Sequence, residues 1–566
     1  MSAGEAWSGR LSRRGFLVGA AALAAAGCSS STAPTPKAAG GPTGPPEGAG
    51  TVAVGPVTAA DAAAEAPAVA GPAAEAIDAP ADPGFGADPF ALGVASGDPT
   101  EGAVVLWTRL LAAAGAAEIA GDVPVACDVA LDAGFSRLVG SSLVAAPSAE
   151  AHTVHHDATG LAPDTWYWYR FRLGPWTSPA GRTRTAPAPG AVPTAAMRLV
   201  AASCQRYPDG LYGAYRHVVA DAPDVVVWCG DYVYERAADG VRSQPAGEAS
   251  DLASYRALYA HYRGDAELQR AHAACPWIVT WDDHEVADNY AGALANGVDG
   301  TSEEASASFL ERRAAAYRAW WEHMPVRIPA PDGPDLAIHR RLDWGGLVTL
   351  AVLDGRQYRS DQPCGVAVGD LCDAADDPAA TMLGADQEGW LAGVLDDSAR
   401  RAAPWTVLVN QTVLTSARVR AGGRTLAAFD QWDGYGAARD RLLAAAVAVG
   451  VPERTNLVVL TGDIHASLVG EVERDGSPVG VEFVSPSISS ALSAERASQL
   501  ALTPLLVRAV RVADGDHRGY VLHEIDPSRW RASYRWLDDA TVEQPPLVAG
   551  APRFEVRRGE AGVRQI

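Results

Sequence analysis

Seven cysteines in 566 residues are too few for a disulfide framework, so the chain must be held together by buried apolar surface. Positive charge is also short. The 46 basic and 68 acidic residues leave a formal net charge of −22, which excludes a broad nucleic-acid-binding face, because phosphate backbones are gripped by surplus Lys and Arg. A phosphate-bearing substrate is not excluded, since a bound metal ion reverses the field locally. Lysine is nearly missing, Lys37 being the only one, a codon-usage bias that carries no chemistry. No internal repeat is present, and the Ala/Val/Leu run that follows Arg14 is too short to span a bilayer.

What the first residues do contain is informative. Ser12-Arg13-Arg14-Gly15-Phe16-Leu17 ahead of that short apolar run resembles the twin-arginine (Tat) export signal. The resemblance implies a signal over 1–28, the Tat export machinery as partner, and a chain carried folded to the cell envelope, periplasm or exterior. Ala26-Gly27-Cys28 offers a lipidation site and so a membrane anchor, with an incomplete match because Ala25 stands where Leu is usual. Cys364 and Cys372 bracket a short Gly- and Asp-containing loop and are the best candidate pair for a disulfide, whereas Cys127, Cys229 and Cys275 sit in or beside apolar runs and read as buried small hydrophobes.

Composition divides the rest. Residues 29–88 are dominated by Ala, Pro and Gly and read as a disordered linker. Residues 89–190 carry short β-branched and aromatic runs at 103–107, 123–127 and 166–172, which predict a small all-β sandwich; the turn 160–167 looks like that of fibronectin type III-like domains. Alternating aromatics on such strands read as core rather than as a carbohydrate platform. From 195 to 545 apolar strands at 199–202, 225–228, 277–281, 347–353, 405–409 and 457–460 alternate with helical segments at 252–263, 303–322 and 384–395, the pattern of an α/β domain with a largely buried sheet. Residues 546–566 are expected to be a tail of loop or covering strand.

The stretch 225–235, VVVWCGDYVYE, runs four apolar residues into Cys229, Gly230 and Asp231, and Tyr234 follows. A buried strand that stops at Gly-Asp sets a carboxylate at the carboxyl end of a sheet, where open α/β folds place their ligands. The same holds after the other strands: Ser203-Cys204-Gln205, Asp282-Asp283-His284-Glu285, Asp354-Gly355-Arg356, Asn410-Gln411 and Gly462-Asp463-Ile464-His465. Thiolate, phenolate and imidazole suit a transition metal, whereas carboxylate and amide oxygens suit a hard cation, so Cys204, Tyr234 and His465 point to a different metal from Asp283, Asn410 and Asp463. Each residue alone has a bland reading: Cys204 as a buried thiol, Tyr234 as a core aromatic, 283–285 as a helix-initiating acidic cluster, Arg356 as a structural ion pair. Jointly, with their spacing at successive strand ends, they favour a metal site.

This set resembles the PhoD family of alkaline phosphatases and phosphodiesterases within the wider metallophosphoesterase and purple acid phosphatase group. Further matches are Gly93-Val94-Ala95-Ser96-Gly97-Asp98-Pro99, Leu106-Trp107-Thr108-Arg109, Arg356-Gln357-Tyr358-Arg359-Ser360-Asp361-Gln362 and Trp432-Asp433-Gly434-Tyr435; Gly355 departs from the Thr usual beside the arginine. The resemblance implies a metallophosphoesterase-type β-sandwich flanked by helices, preceded by the fibronectin type III-like domain. It implies one Fe3+ held by Cys204, Asp231, Tyr234 and His465, and one or two Ca2+ near Asp231, Asp283, Asn410 and Asp463. It further implies Arg356 as a bidentate phosphate contact and His284 as an aid to the leaving oxygen or the phosphate. The expected protein is an exported, monomeric alkaline phosphatase that hydrolyses phosphate esters with a metal-activated hydroxide. Two alternatives stay open: a phosphodiesterase of phospholipid or teichoic-acid-type polymers, and, from another class, a calcium-stabilised envelope binding protein.

Overall fold

The computed structural model describes residues 74–295 and 303–566. The Tat-like segment, Cys28 and residues 29–73 lie outside the described residues.

Two sheets form the body. Strands Met197–Ala202, Val225–Cys229 and Trp277–Thr280 run parallel at the centre of a ten-stranded sheet. Strands Val348–Val352, Trp405–Val409, Asn456–Thr461 and Ser477–Val484 run parallel at the centre of a seven-stranded one. Both faces of these strands are covered, which is why they read as unbroken apolar runs rather than alternating ones.

Successive residues of Val225–Cys229 still point opposite ways. Val225, Val227 and Cys229 enter the core between the two sheets, among Val407, Leu460 and Phe483. Val226 and Trp228 enter a second core against the helices Leu252–Arg263, Ala266–Ala274 and Glu303–His323. A third core lies between the far face of the seven-stranded sheet and the helices Gly384–Arg400 and Gly436–Ala448. The architecture is therefore the expected β-sandwich flanked by helices, in four layers. Cys229 belongs to its central core, and burial raises its thiol pKa far above the usual range.

The N-terminal strands also form a sandwich. Val123–Ala130 pairs with Leu138–Ala146 and Trp166–Leu173, and this sheet shares a core with Val94, Val104, Leu106 and Val154. In Trp166–Leu173 the alternation is regular: Tyr167, Tyr169, Phe171 and Leu173 are buried, so these aromatics are core. The second layer of this sandwich is not separate from the larger body. Val94–Gly97, Ala103–Arg109 and Thr153–Thr159 continue the ten-stranded sheet through a parallel pairing of Gly97 with Trp277.

Two features depart from the sequence reading, and the tail settles one that it left open. Residues 74–88, grouped with the linker on composition, lie along the sandwich: Phe85 is fully buried and the Ile77 carbonyl accepts from Arg172 Nη2 at 2.6 Å. Ala and Pro richness hid this because a few anchoring contacts suffice to dock an irregular segment. The tail supplies strands Arg553–Arg557 and Arg564–Gln565, which finish the edge of the ten-stranded sheet. A small sheet of Val368–Asp370, Val419–Ala421 and Arg424–Ala428 was not foreseen; beside it the Cys364–Cys372 disulfide closes the loop that the spacing suggested.

Candidate metal centre

All the parallel strands point their carboxyl ends to one edge of the sandwich, and the candidate residues lie just past those ends. Strand continuation would carry them away from one another, and the backbone turns instead. Cys204, Asp231, Asp463 and His465 all adopt positive φ, between 52° and 66°. Non-glycine residues pay for this conformation, and it gathers at sites where side chains must be aimed. Two glycines make room: a Cβ on Gly230 would sit 2.5 Å from Asp282 Cβ, and one on Gly462 would sit 2.6 Å from Ser203 Cβ.

The result is a chain of three overlapping groups. Ligand atoms of Cys204, Asp231 and His465 lie within 4.8 Å of one another, as do those of Asp231, Asp283 and His284, and those of Asp282, Asp283 and Asp463. Asp231 belongs to the first two groups and Asp283 to the last two. The Tyr234 hydroxyl lies 2.9 Å from both Asp231 Oδ2 and His465 Nε2, which adds it to the first group. Asn410 closes the neighbouring strand, its backbone N–H donating to the Leu460 carbonyl at 2.9 Å. The structure thus brings the seven expected metal ligands and His284 to one edge.

Every member is buried. Asp231 Oδ1, Asp282 Oδ2, Asp283 Oδ1 and Asn410 Oδ1 accept no hydrogen bond from the protein. Buried acceptors in that condition are rare in native proteins, and cations satisfy them. The donor types match too: sulfur, phenol and imidazole around Asp231 on one side, carboxylate and amide oxygen on the other. Burial lowers the His465 pKa to about 3, helped by Arg518, and so keeps the imidazole in its neutral, ligating form.

The carboxylates crowd one another. Burial first, and then Asp283, raise Asp231 well above the usual range; burial and then Asp282 do the same to Asp463. Asp282 is raised to about 6 by burial despite Arg356, and Glu285 to about 7 by burial despite three backbone N–H donors. At Asp283 burial is the largest effect and pushes up, but Arg356, His284, the Asn289 backbone N–H and Arg359 together outweigh it and hold this carboxyl below the usual range.

Arg356 lies inside the acidic cluster. Its side chain is fully buried, Nη1 donates to Asp430 at 2.9 Å, Nη2 to Asp463 at 3.0 Å and Nε to Asp282. All three guanidinium nitrogens face carboxylates, so the arrangement seen is a counter-ion within the acidic cluster rather than an open clamp for phosphate.

Four residues position the site in roles that the sequence reading did not assign. Glu285 Oε1 and Oε2 accept from the backbone N–H groups of Tyr232 at 2.7 Å, Asp282 at 2.8 Å and Asp231 at 3.1 Å, tying two strand ends together. Glu235 Oε2 lies 2.7 Å from His284 Nδ1 and fixes that ring. Asp430 Oδ1 gathers Arg356, Arg359 and Gln362, and Gln431 Nε2 donates to Asp463 Oδ2 at 2.6 Å. Glu235 and Glu285 are the last residues of the motifs 225–235 and 282–285, and burial beside a strand end was the available signal for their roles. Asp430 and Gln431 lie on the loop between Arg424–Ala428 and Gly436–Ala448, where nothing local marked them.

Known proteins share this fold and sequence pattern. The family model of PhoD-like phosphatases matches residues 199–534, and the model of their N-terminal domain matches 75–187. The chain is 39% identical over 506 residues to alkaline phosphatase D of Bacillus subtilis (strain 168), covering 86% of this chain and 84% of that protein. A solved structure of PhoD aligns with a TM-score of 0.79 at 37% identity, over 86% of this chain and 93% of that one. The purple acid phosphatase PPD1 from yellow lupin seeds aligns with a TM-score of 0.50 at 14% identity, over 80% and 72% of the two chains, a likeness of fold alone.

Crowded carboxyls make the metal-free protein sensitive to pH. A carboxyl whose folded pKa is raised contributes stability that is complete below its unfolded value and is lost as pH rises through the folded one. For Asp282 at about 6, and for Glu285 and for Asp288, whose backbone N–H donates to Glu235, at about 7, the loss runs over a window from about pH 4 to about pH 7. Chelator-treated protein should lose at least ~5 °C of melting temperature across it, while metal-loaded protein stays flat. Parallel melting curves for the two forms would contradict the metal assignment.

Proposed function

The chain belongs to the PhoD-like phosphatase family, and from that premise we propose that it is an exported alkaline phosphatase whose activity depends on iron and calcium. It is a phosphoric ester hydrolase, which sets aside the envelope binding protein. The observation that carries the metal reading is the position of Asp231, shared between the Cys204–His465 group and the Asp283–His284 group.

In this reading Cys204, Asp231, Tyr234 and His465 hold Fe3+, and Asp231, Asp283, Asn410 and Asp463 hold one or two Ca2+. When bound, the ions acidify water and balance charge on the phosphoryl oxygens. The protein supplies the rest. Glu285 keeps the ends of Val225–Cys229 and Trp277–Thr280 at a fixed separation, so Asp231 and Asp283 arrive oriented. Gln431 holds one oxygen of Asp463, leaving the other toward Arg356. His284, braced by Glu235 and set against the Tyr234 ring at 4.3 Å between centroids, orients the phosphate or passes a proton to the leaving oxygen. Arg356 and Arg359 offset part of the acidic cluster throughout.

The division into a sandwich over 89–190 and a catalytic unit over 195–545 is proposed as the functional organisation, with monoesters as the substrate and a monomer as the active form. The Tat-like residues Ser12 to Leu17 support export of the folded chain. Among the described residues no helix is long and apolar enough to cross a membrane, and Cys28 is the anchor proposed.

Asp231→Asn should lower kcat/KM for a chromogenic monoester by ~10³-fold or more while circular dichroism stays unchanged, since one substitution weakens both groups. Glu285→Gln should lower metal affinity by ~10–100-fold with a smaller loss at saturating metal. Retained activity in Asp231→Asn would contradict the shared-ligand role, and faster turnover of a diester than of a monoester would move the substrate to diesters. Replacing Arg13 and Arg14 by lysine should leave active enzyme inside the cell; undiminished export would refute the Tat assignment.

A further inference from the structure

Away from the metal centre the charge of the chain reverses sign in one cleft. Its volume is about 270 Å³, and Arg418, Arg420, Arg439 and Arg508 line it together with Glu471 and Glu473. Four arginines against two glutamates stand out in a chain whose net charge is −22. The walls come from the strand Val419–Ala421 and the loop before it, the helix Gly436–Ala448, the strand Ser467–Arg474 and the segment 506–509. Glu471 lies four residues into the strand that follows His465, ~14 Å along it, and the loop that begins at Asn410 ends in the wall at Arg418. The cleft is thus separate from the metal centre and built on two of the same chain segments.

Most of the lining charges are already matched. Arg418 Nη2 donates to Asp376 Oδ1 at 2.9 Å and to the Asp433 carbonyl at 2.8 Å. Arg508 Nη2 donates to Glu473 Oε1 at 2.8 Å, and Glu471 accepts from Arg511 Nη2 at 2.5 Å and from the Val563 N–H at 3.2 Å. Two guanidiniums are left over. Arg439 is mostly buried, and its Nε donates to the Leu414 carbonyl at 2.7 Å and its Nη2 to the Glu473 carbonyl at 3.1 Å. These carbonyls hold the side chain in place without neutralising it, and burial pushes its pKa down against the pull of Asp433 and Glu482. Arg420 stands exposed on its strand. Among the described residues neither Arg420 nor Arg439 forms an ion pair with a carboxylate, although both line one cleft.

We propose that this cleft is a second, non-catalytic binding site for a dianionic phosphate group, held between Arg420 and Arg439. Two uncompensated guanidiniums match two negative charges, and their planar N–H forks suit phosphate oxygens. Inorganic phosphate and a phosphomonoester share this chemistry. A phosphoric ester hydrolase meets both, and the choice of phosphate over other dianions rests on that activity.

Arsenate, a tetrahedral oxyanion of the same charge, locates the site on the full metal-loaded enzyme. Anomalous diffraction from arsenate-soaked crystals should show a peak within hydrogen-bond reach of Arg420 and Arg439, apart from any at the metal centre. Calorimetric titration with inorganic phosphate should fit two sites in the wild type and one in the double variant Arg420→Gln/Arg439→Gln, with kcat for the monoester unchanged. Arg420→Gln alone, on an exposed residue that the fold does not need, should weaken the second site by ~10-fold. The same titration with methylphosphonate, a monoester analogue with no ester to cleave, separates the two sources: tighter binding than phosphate at the second site assigns it to monoesters, and weaker binding assigns it to free phosphate. An arsenate peak in the cleft of an enzyme without turnover would uphold the site while refuting the phosphatase reading. A cleft empty of arsenate would overturn the proposal, as would a double variant that keeps both phosphate sites.

Discussion

The structure turns on an excess of buried negative charge at one sheet edge. Asp231, Asp282, Asp283, Asp430 and Asp463 are all buried there with two buried guanidiniums, Arg356 facing Asp282, Asp283, Asp430 and Asp463, and Arg359 facing Asp430. Two guanidiniums against five carboxylates leave a deficit of positive charge that burial makes costly. Protonation relieves it at low pH and bound cations relieve it at working pH. The cluster is thus built to be incomplete as protein alone.

Holding that cluster demands rigidity from everything around it. Parallel strands buried on both faces fix where each ligand-bearing turn begins. Positive φ at Cys204, Asp231, Asp463 and His465 redirects the chain, and the glycines at 230 and 462 clear the space. Glu285 then ties the Asp231 turn to the Asp282 turn through backbone N–H groups, a bond that fixes geometry without adding another ligand. Strain in the turns, deep burial and a carboxylate brace form one design, in which the core gives up local comfort so that unlike side chains converge.

Much of this was legible in the sequence because strand ends are marked by composition. An apolar run that halts at Gly230-Asp231 or Gly462-Asp463 announces both the strand and the place of its last residue, and the mixture of Cys204, Tyr234 and His465 with Asp283 and Asn410 separates two kinds of ligand. Long-range pairing was not legible. Arg356 read as a phosphate contact because its chemistry suits one, and only the fold reveals that its nitrogens meet Asp282, Asp430 and Asp463 from three other segments. The sandwich read as separate because the Gly97–Trp277 pairing depends on register, which composition does not carry. Residues 74–88 were misjudged for the same reason, since docking rests on Phe85 and a few hydrogen bonds rather than on a periodic pattern.

The central claim is that Asp231 joins two unlike metal environments. Anomalous diffraction from the purified enzyme, recorded on both sides of the iron absorption edge, tests it most directly. The expected result is an iron peak bounded by Cys204, Asp231, Tyr234 and His465, with iron-free density for a second cation between Asp231, Asp283, Asn410 and Asp463. An active enzyme with no iron at the first position, or with cations that Asp231 does not touch, would contradict it.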